Sequence, residues 1–251
     1  MDPGHVVQKV RDLVLIRGTG GQVAVVACDS AGGIGPKDLD VVRVPGYVLG
    51  RFTSRVALME VLASGAVPAV LVSTLCAEPD PVGLDVTRGI IDELQASGLQ
   101  DRVTITGSAE KNIATRQTGL GITVIGFAGS DELRLGASAR DDEVLCVGVP
   151  KVGTEVRLED TELADTASLT RLLGVIGVHE VVPAGSRGIL HEAGELARHS
   201  GLSFRAAASP AVDVRKSAGP ATCLVVSAVP GLRVALASML SKPVFHVGWL
   251  R

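Results

Sequence analysis

The chain has 251 residues, 46% of them apolar and 20% charged, with a formal net charge of −3 at neutral pH. That composition excludes a disordered segment and suffices for one large core or two smaller ones. The acidic balance lacks the basic footprint of a nucleic-acid binder, and one Trp, one Tyr and four Phe leave no platform for stacking bases.

The first residues, MDPGHVVQKVRDLVLIRG, carry charges between every apolar run, so the apolar core of a signal peptide is missing. No uncharged run is long enough to span a bilayer. A cytoplasmic protein without a membrane partner is expected. QVAVVAC (22–28) reads as a strand, followed by a glycine-rich loop from Asp29 to Gly46. Between 47 and 64, Val48, Phe52, Val56, Met59 and Leu62 recur at three- and four-residue steps, which predicts a helix that Gly65 ends. VPAVLVSTLC (67–76) reads as a buried strand, and 84–97 as a helix closed by Gly98. RVTIT (102–106) is a strand running into a second polar loop, and GLGITVIGFA (119–128) is another strand.

The polar stretch around 130–142 marks a boundary, giving an N-terminal domain over 1–135 and a C-terminal domain over 143–251. In the second domain, strands are expected at 143–150, 179–184, 222–229 and 242–250, and helices at 166–174, 187–200 and 231–240. Strands alternating with helices predict an α/β (or α+β) fold. Cys28, Cys76, Cys146 and Cys223 form no Cys-x-x-Cys pair and lie in or beside apolar runs, so buried reduced thiols are expected rather than a zinc site.

Three motifs can carry chemistry. In Cys28-Asp29-Ser30-Ala31-Gly32-Gly33-Ile34-Gly35-Pro36-Lys37, an acid ends a strand and a loop with glycines and a lysine follows. Glycines let backbone amides approach phosphate, lysine adds charge and the carboxylate suits magnesium, although a glycine-rich turn without a ligand has the same composition. It is neither a Walker A loop nor a dinucleotide fingerprint. Glu60 lies beside apolar helix positions, where a carboxylate needs a metal or an ion pair with Arg51 or Arg55. In Ile105-Thr106-Gly107-Ser108-Ala109-Glu110-Lys111-Asn112, followed by Gln117-Thr118-Gly119, a strand end delivers hydroxyls and one acid into a loop that is either a site or a solvated turn.

Taken in this order and separation, the motifs CDSAGGIGPK, the Glu60 helix ending Gly65-Ala66, and ITGSAEKN resemble those of the aminoimidazole ribonucleotide synthetase-like (PurM-like) ATP-binding superfamily. HEVVPAGSRGILHEAGELARHSGL and the closing VFHVGWLR resemble its second half, so the resemblance covers nearly the whole chain. VVACDSAGGIG, FTSRVALMEVLASGA and TGSAEKNIATRQTGLGITVIG are most similar to the α-ribazole kinase branch. Glu60 stands where the superfamily usually has Asp, Ala109 precedes Glu110 where an acid is usual, and Pro183–Gly188 lacks the usual acidic helix start.

The resemblance implies a two-domain fold whose N-terminal sheet contributes to a barrel shared by a homodimer. It implies ATP and magnesium as cofactors, and transfer of phosphate to a nucleoside-like small molecule. Thiamine monophosphate or another superfamily substrate, and a nucleotide-binding accessory protein without turnover, are the alternatives. On this reading Asp29, Lys37 and Glu110 are catalytic, and Asp29 and Glu60 hold the metal. Ser30, Gly32, Gly33, Gly35, Lys37, Thr106, Gly107 and Ser108 bind the nucleotide, and Asn112 and Gln117 meet substrate hydroxyls. Asp38 and Asp40 are candidate bases on an expected solvated loop.

Overall fold

The computed structural model describes residues 6–251, so the first five residues of the stretch taken to lack a leader lie outside the described residues. The chain divides into two compact units, one ending at Leu133 and the other running from Arg134 to Arg251. Among the described residues, no helix is long and apolar enough to cross a membrane.

In the first unit, β1 (Val6–Val10), β2 (Leu13–Arg17), β3 (Gln22–Gly32), β4 (Ile34–Gly35) and β5 (Val42–Arg43) precede α1 (Gly46–Ala63). β6 (Val67–Leu75), α2 (Leu84–Ala96), β7 (Thr104–Ala109) and β8 (Gly119–Gly129) follow. Six strands form one sheet in the order β1-β2-β3-β8-β6-β7. Only the β6–β7 pairing within it is parallel. β3 alternates as a half-covered strand should: Val23, Val25 and Ala27 are buried, while Val26 is half-buried and Cys28 exposed.

Helix α1 lies on the buried face, against β3 and β8, and α2 packs on α1. The two helices approach closely because glycines stand at the crossing. A Cβ on Gly50 would come within 2.2 Å of the Val86 carbonyl oxygen, and one on Gly89 within 2.2 Å of that of Tyr47. Glu93, 1% exposed, accepts bonds from Arg51 at 2.7 Å and from Arg55 at 2.8 and 2.9 Å, which ties α2 to α1. Leu49, Ala57, Leu58 and Val61 are buried beside Phe52 and Met59. The single apolar face expected for this helix is therefore too narrow, since it is covered by the sheet on one side and α2 on another.

The second unit contains β9 (Glu143–Gly148), α3 (Thr166–Leu173), β10 (Val178–Pro183), α4 (Gly188–His199), β11 (Phe204–Ala206), β12 (Cys223–Ala228), α5 (Arg233–Leu240) and β13 (Val244–Leu250). Its sheet runs β10-β12-β9-β13-β11 and is antiparallel throughout. Every residue of β9 and β12 is buried, the mark of central strands covered on both faces. Ile189, Ala193 and Leu196 of α4 pack with Val144, Cys146, Val225 and Val247. Asp165 caps α3 by accepting the Ser168 amide at 2.7 Å.

Two expectations need correction. Cys28 and Cys76 are exposed, and only Cys146 and Cys223 are buried thiols. β3 and β7 also extend further than expected, to Gly32 and Ala109, so much of the first and third motifs is strand rather than loop.

Candidate functional site

Three connections of the first unit converge: the segment after β3, the turn after β6 and the loop between β7 and β8. Asp40 organises the first of them. Only 6% exposed, it accepts the Lys37 amide, the Thr118 amide and the Thr118 hydroxyl, each at 2.8 Å. It is thus a buried anchor rather than a base on a solvated loop, whereas Asp38 is exposed. A Cβ on Gly35 would come within 2.5 Å of the Thr118 hydroxyl, so only glycine lets these two segments close.

Lys37 reaches across to Glu78, and its ammonium donates to one carboxylate oxygen there. Glu78 also accepts the Thr115 amide at 3.0 Å and the Thr115 hydroxyl at 3.3 Å. The Lys37 ammonium, with help from backbone amides, holds the Glu78 carboxyl down to about 2. Glu110 lies close enough for the charge of Glu78 to oppose its own ionisation. The amides of Asn112 and Ile113, at 2.7 and 3.1 Å, outweigh that and lower its pKa. Beside Lys37 opens a cavity of about 720 Å³ lined by Pro36, Lys37, Pro81, Val82, Leu84, Asp85 and Arg88. Two cations, one acid and an apolar remainder suit an anionic ligand with an apolar part.

Asp29 stands apart from this cluster. It pairs with Ile122 in the sheet and shares the face of Val25 and Ala27, beneath α1. Burial pushes its carboxyl up to about 6, against a smaller opposing pull from the Ser30 backbone. A desolvated carboxylate of this kind gains from a cation.

Several predicted partners do not join it. Val61 lies where a Cβ on Gly126 would stand, and Gly126 pairs with Val25, four residues before Asp29. At strand rise, that sets the Glu60 turn of α1 roughly 13 Å along β3 from Asp29, too far for both carboxylates to share one ion. Glu60 is half-buried, and Arg51 and Arg55 both bond Glu93. Among the described residues, no three His, Cys, Asp or Glu side chains are grouped to hold a metal.

Thr106 and Ser108 pair with Val72 and Thr74, on the sheet face opposite Asp29. β8 and β6 separate their strand from β3, so they do not form a wall facing Asp29. Gly107 is a packing glycine, since a Cβ there would meet the Ser73 carbonyl oxygen at 2.1 Å. Ser30 likewise projects from the face away from Asp29.

The expected phosphate cradle is also altered. Gly32 pairs with Gly119 in the sheet. The Gly33 amide donates to the Thr118 carbonyl at 2.9 Å, with φ at +69°. Gly33 and Gly35 thus turn the chain rather than offer a ring of free amides. The Gln117 side-chain amide donates to the Leu39 carbonyl at 2.7 Å, while Asn112 is exposed on the loop. The structure therefore gathers Lys37, Glu110 and the Asn112 loop, and adds Glu78, Thr115 and Arg88, which the motifs did not indicate. Glu78 carried no local signal because its partners are 41 and 37 residues away in sequence.

Comparison with known proteins places the fold. No family model matches the sequence, and no curated protein matches it. Among solved structures, thiamine-monophosphate kinase from Stenotrophomonas maltophilia K279a superposes with a TM-score of 0.62 at 16% identity, over 99% of this chain and 89% of that one. A hydrogenase maturation protein HypE in complex with ATP gives 0.64 at 14% identity, over 90% and 76%. AaThiL complexed with AMPPCP and TMP gives 0.59 at 14% identity, over 96% and 84%. The chain has the PurM-like α/β fold of these structures.

Proposed function

We propose that this protein is an ATP-dependent phosphotransferase with an alcohol acceptor, and that the acceptor is the primary hydroxyl of α-ribazole, giving α-ribazole 5'-phosphate. The observation that carries the phosphotransferase reading is the cavity at Lys37, where Lys37, held by Glu78, and the more exposed Arg88, bonded to Asp85, stand beside an apolar wall. The likeness to thiamine-monophosphate kinase and to a protein holding ATP supports it. The α-ribazole assignment rests on the sequence resemblance of the three motifs.

Phosphoryl transfer needs positioning and neutralised charge more than covalent help. Lys37 supplies charge at the phosphates, and the Asp40 bonds keep its backbone fixed. The Asn112 loop, braced by Glu110, lies nearby to meet acceptor hydroxyls. Magnesium usually keeps several waters and takes one or two carboxylates plus substrate phosphate. Asp29, whose ionised form burial disfavours, would be the single protein ligand of such an ion, whereas Glu60 does not join it and Asp29 itself is not part of the lining of the Lys37 cavity.

A homodimer through the exposed face of the first unit's sheet belongs to the same reading, as does a cytoplasmic location. The second reading is a thiamine-monophosphate kinase-like activity, favoured by the structural neighbours named for that enzyme. Incubation with ATP, magnesium and a panel of acceptors, read by mass spectrometry, separates them. α-Ribazole phosphate is expected. A phosphorylated thiamine monophosphate moves the acceptor to the second reading, and no acceptor-dependent ATP consumption leaves a nucleotide-binding protein without turnover.

A further inference from the structure

We infer that Glu78 is the positioning residue of the nucleotide site, holding the Lys37 ammonium and the Thr115 loop together so that Lys37 meets phosphate in one orientation. This rests on the phosphotransferase reading above. Lys37 is fixed at both ends. Its backbone amide donates to Asp40, which Thr118 holds from the other side, and its ammonium donates to Glu78. A lysine side chain free in water loses much rotamer entropy when it binds an anion. One already restrained by a carboxylate has lost most of that freedom beforehand, and its ammonium still has further N–H groups to offer.

Glu78 does more than pair with one cation. Its two carboxylate oxygens accept three bonds, from Lys37, the Thr115 amide and the Thr115 hydroxyl, so they couple the segment after β3 to the loop that carries Asn112. A simple surface ion pair would not span two loops in this way, and such pairs contribute little. Lys37 keeps 19% of its side chain exposed and borders the cavity of about 720 Å³. Depression of the Glu78 pKa to about 2 keeps its carboxylate ionised throughout the pH range where enzymes are assayed.

The test compares the parent chain with Glu78→Gln and Glu78→Asp, at matched thermal midpoints. Magnesium-ATP affinity is read by titration calorimetry, and Lys37 reactivity by limited acetylation with acetic anhydride, followed by mass spectrometry relative to exposed Lys111. In Glu78→Gln, ATP affinity should fall about tenfold through lost orientation and Lys37 should acetylate faster than in the parent. Glu78→Asp should recover part of both. If the parent binds ATP and Glu78→Gln binds it equally well or more tightly, this inference is overturned alone, since Glu78 then competes with phosphate or is idle. A parent that binds no ATP removes the phosphotransferase reading and this inference with it.

Discussion

Asp29 burdens the fold, and the metal proposed for it would relieve that burden. Burial raises its pKa from 3.8 to about 6, so the folded chain holds the proton more tightly than the unfolded chain does. Between those values the unfolded state releases its proton first, and stability falls as pH rises through the window. Above about pH 6 the whole cost is present, on the order of 3 kcal/mol for a shift of this size. Asp29→Asn removes the charge and keeps the shape. Without nucleotide or metal it should melt higher than the parent at pH 7.5, and the gain should vanish near pH 4, as differential scanning calorimetry can measure. The same variant should lose magnesium-dependent ATP binding. A lower melting point at pH 7.5 would mean that a cation of the protein already compensates this carboxylate.

At the scale of elements, the crossing of α1 and α2 depends on two glycines and one buried acid. Alanine at position 89 would gain about 1 kcal/mol of helix propensity. It would also place a Cβ 2.2 Å from the Tyr47 carbonyl oxygen and 3.0 Å from the Arg51 amide, both rigid backbone. The helices would have to separate and strain the Arg51–Glu93–Arg55 bonds. Overpacking of this kind costs about 1–3 kcal/mol and more against backbone, so Gly89→Ala should lower the urea midpoint despite the better helix former. An unchanged or higher midpoint would show that the helices give way freely.

These helices were legible in the sequence because apolar periodicity and closing glycines are local signals. The first edge strand was not: Val6, Val7, Gln8 and Lys9 are all exposed, so no burial alternation marks them, and β11 has only three residues. Glycines also misled at the end of β3. The sequence around Gly32 predicts loop, yet this glycine pairs with Gly119 inside the sheet. The acids and lysine of the motifs were visible as residue types. Which sheet face each one takes was not, since that depends on register, and register put Asp29 on one side and Thr106 and Ser108 on the other.

At the scale of the whole molecule, the face of the first unit's sheet away from α1 bears on assembly. Val26, Val72 and Ile125 are half-buried there, Phe127 is 41% exposed and Val67 52% exposed. Pairing of Ala24 with Phe127, Val26 with Ile125 and Val67 with Phe127 puts these side chains on one surface across three adjacent strands. A contiguous apolar patch on a sheet face marks an interaction surface more often than bare solvent. A second copy offering the same patch about a two-fold axis would make an isologous contact, and this is the homodimer proposed above. Phe127→Asp is the direct test. The side chain is exposed enough in one chain for a carboxylate there to remain hydrated, so the variant should fold. Across a two-fold contact, each protomer would bring one such charge into an apolar interface, where desolvation is costly. Sedimentation equilibrium at micromolar concentration should find the parent dimeric and Phe127→Asp monomeric, with matching far-ultraviolet circular dichroism. A monomeric parent, or a variant that stays dimeric, would leave this face without the partner proposed for it.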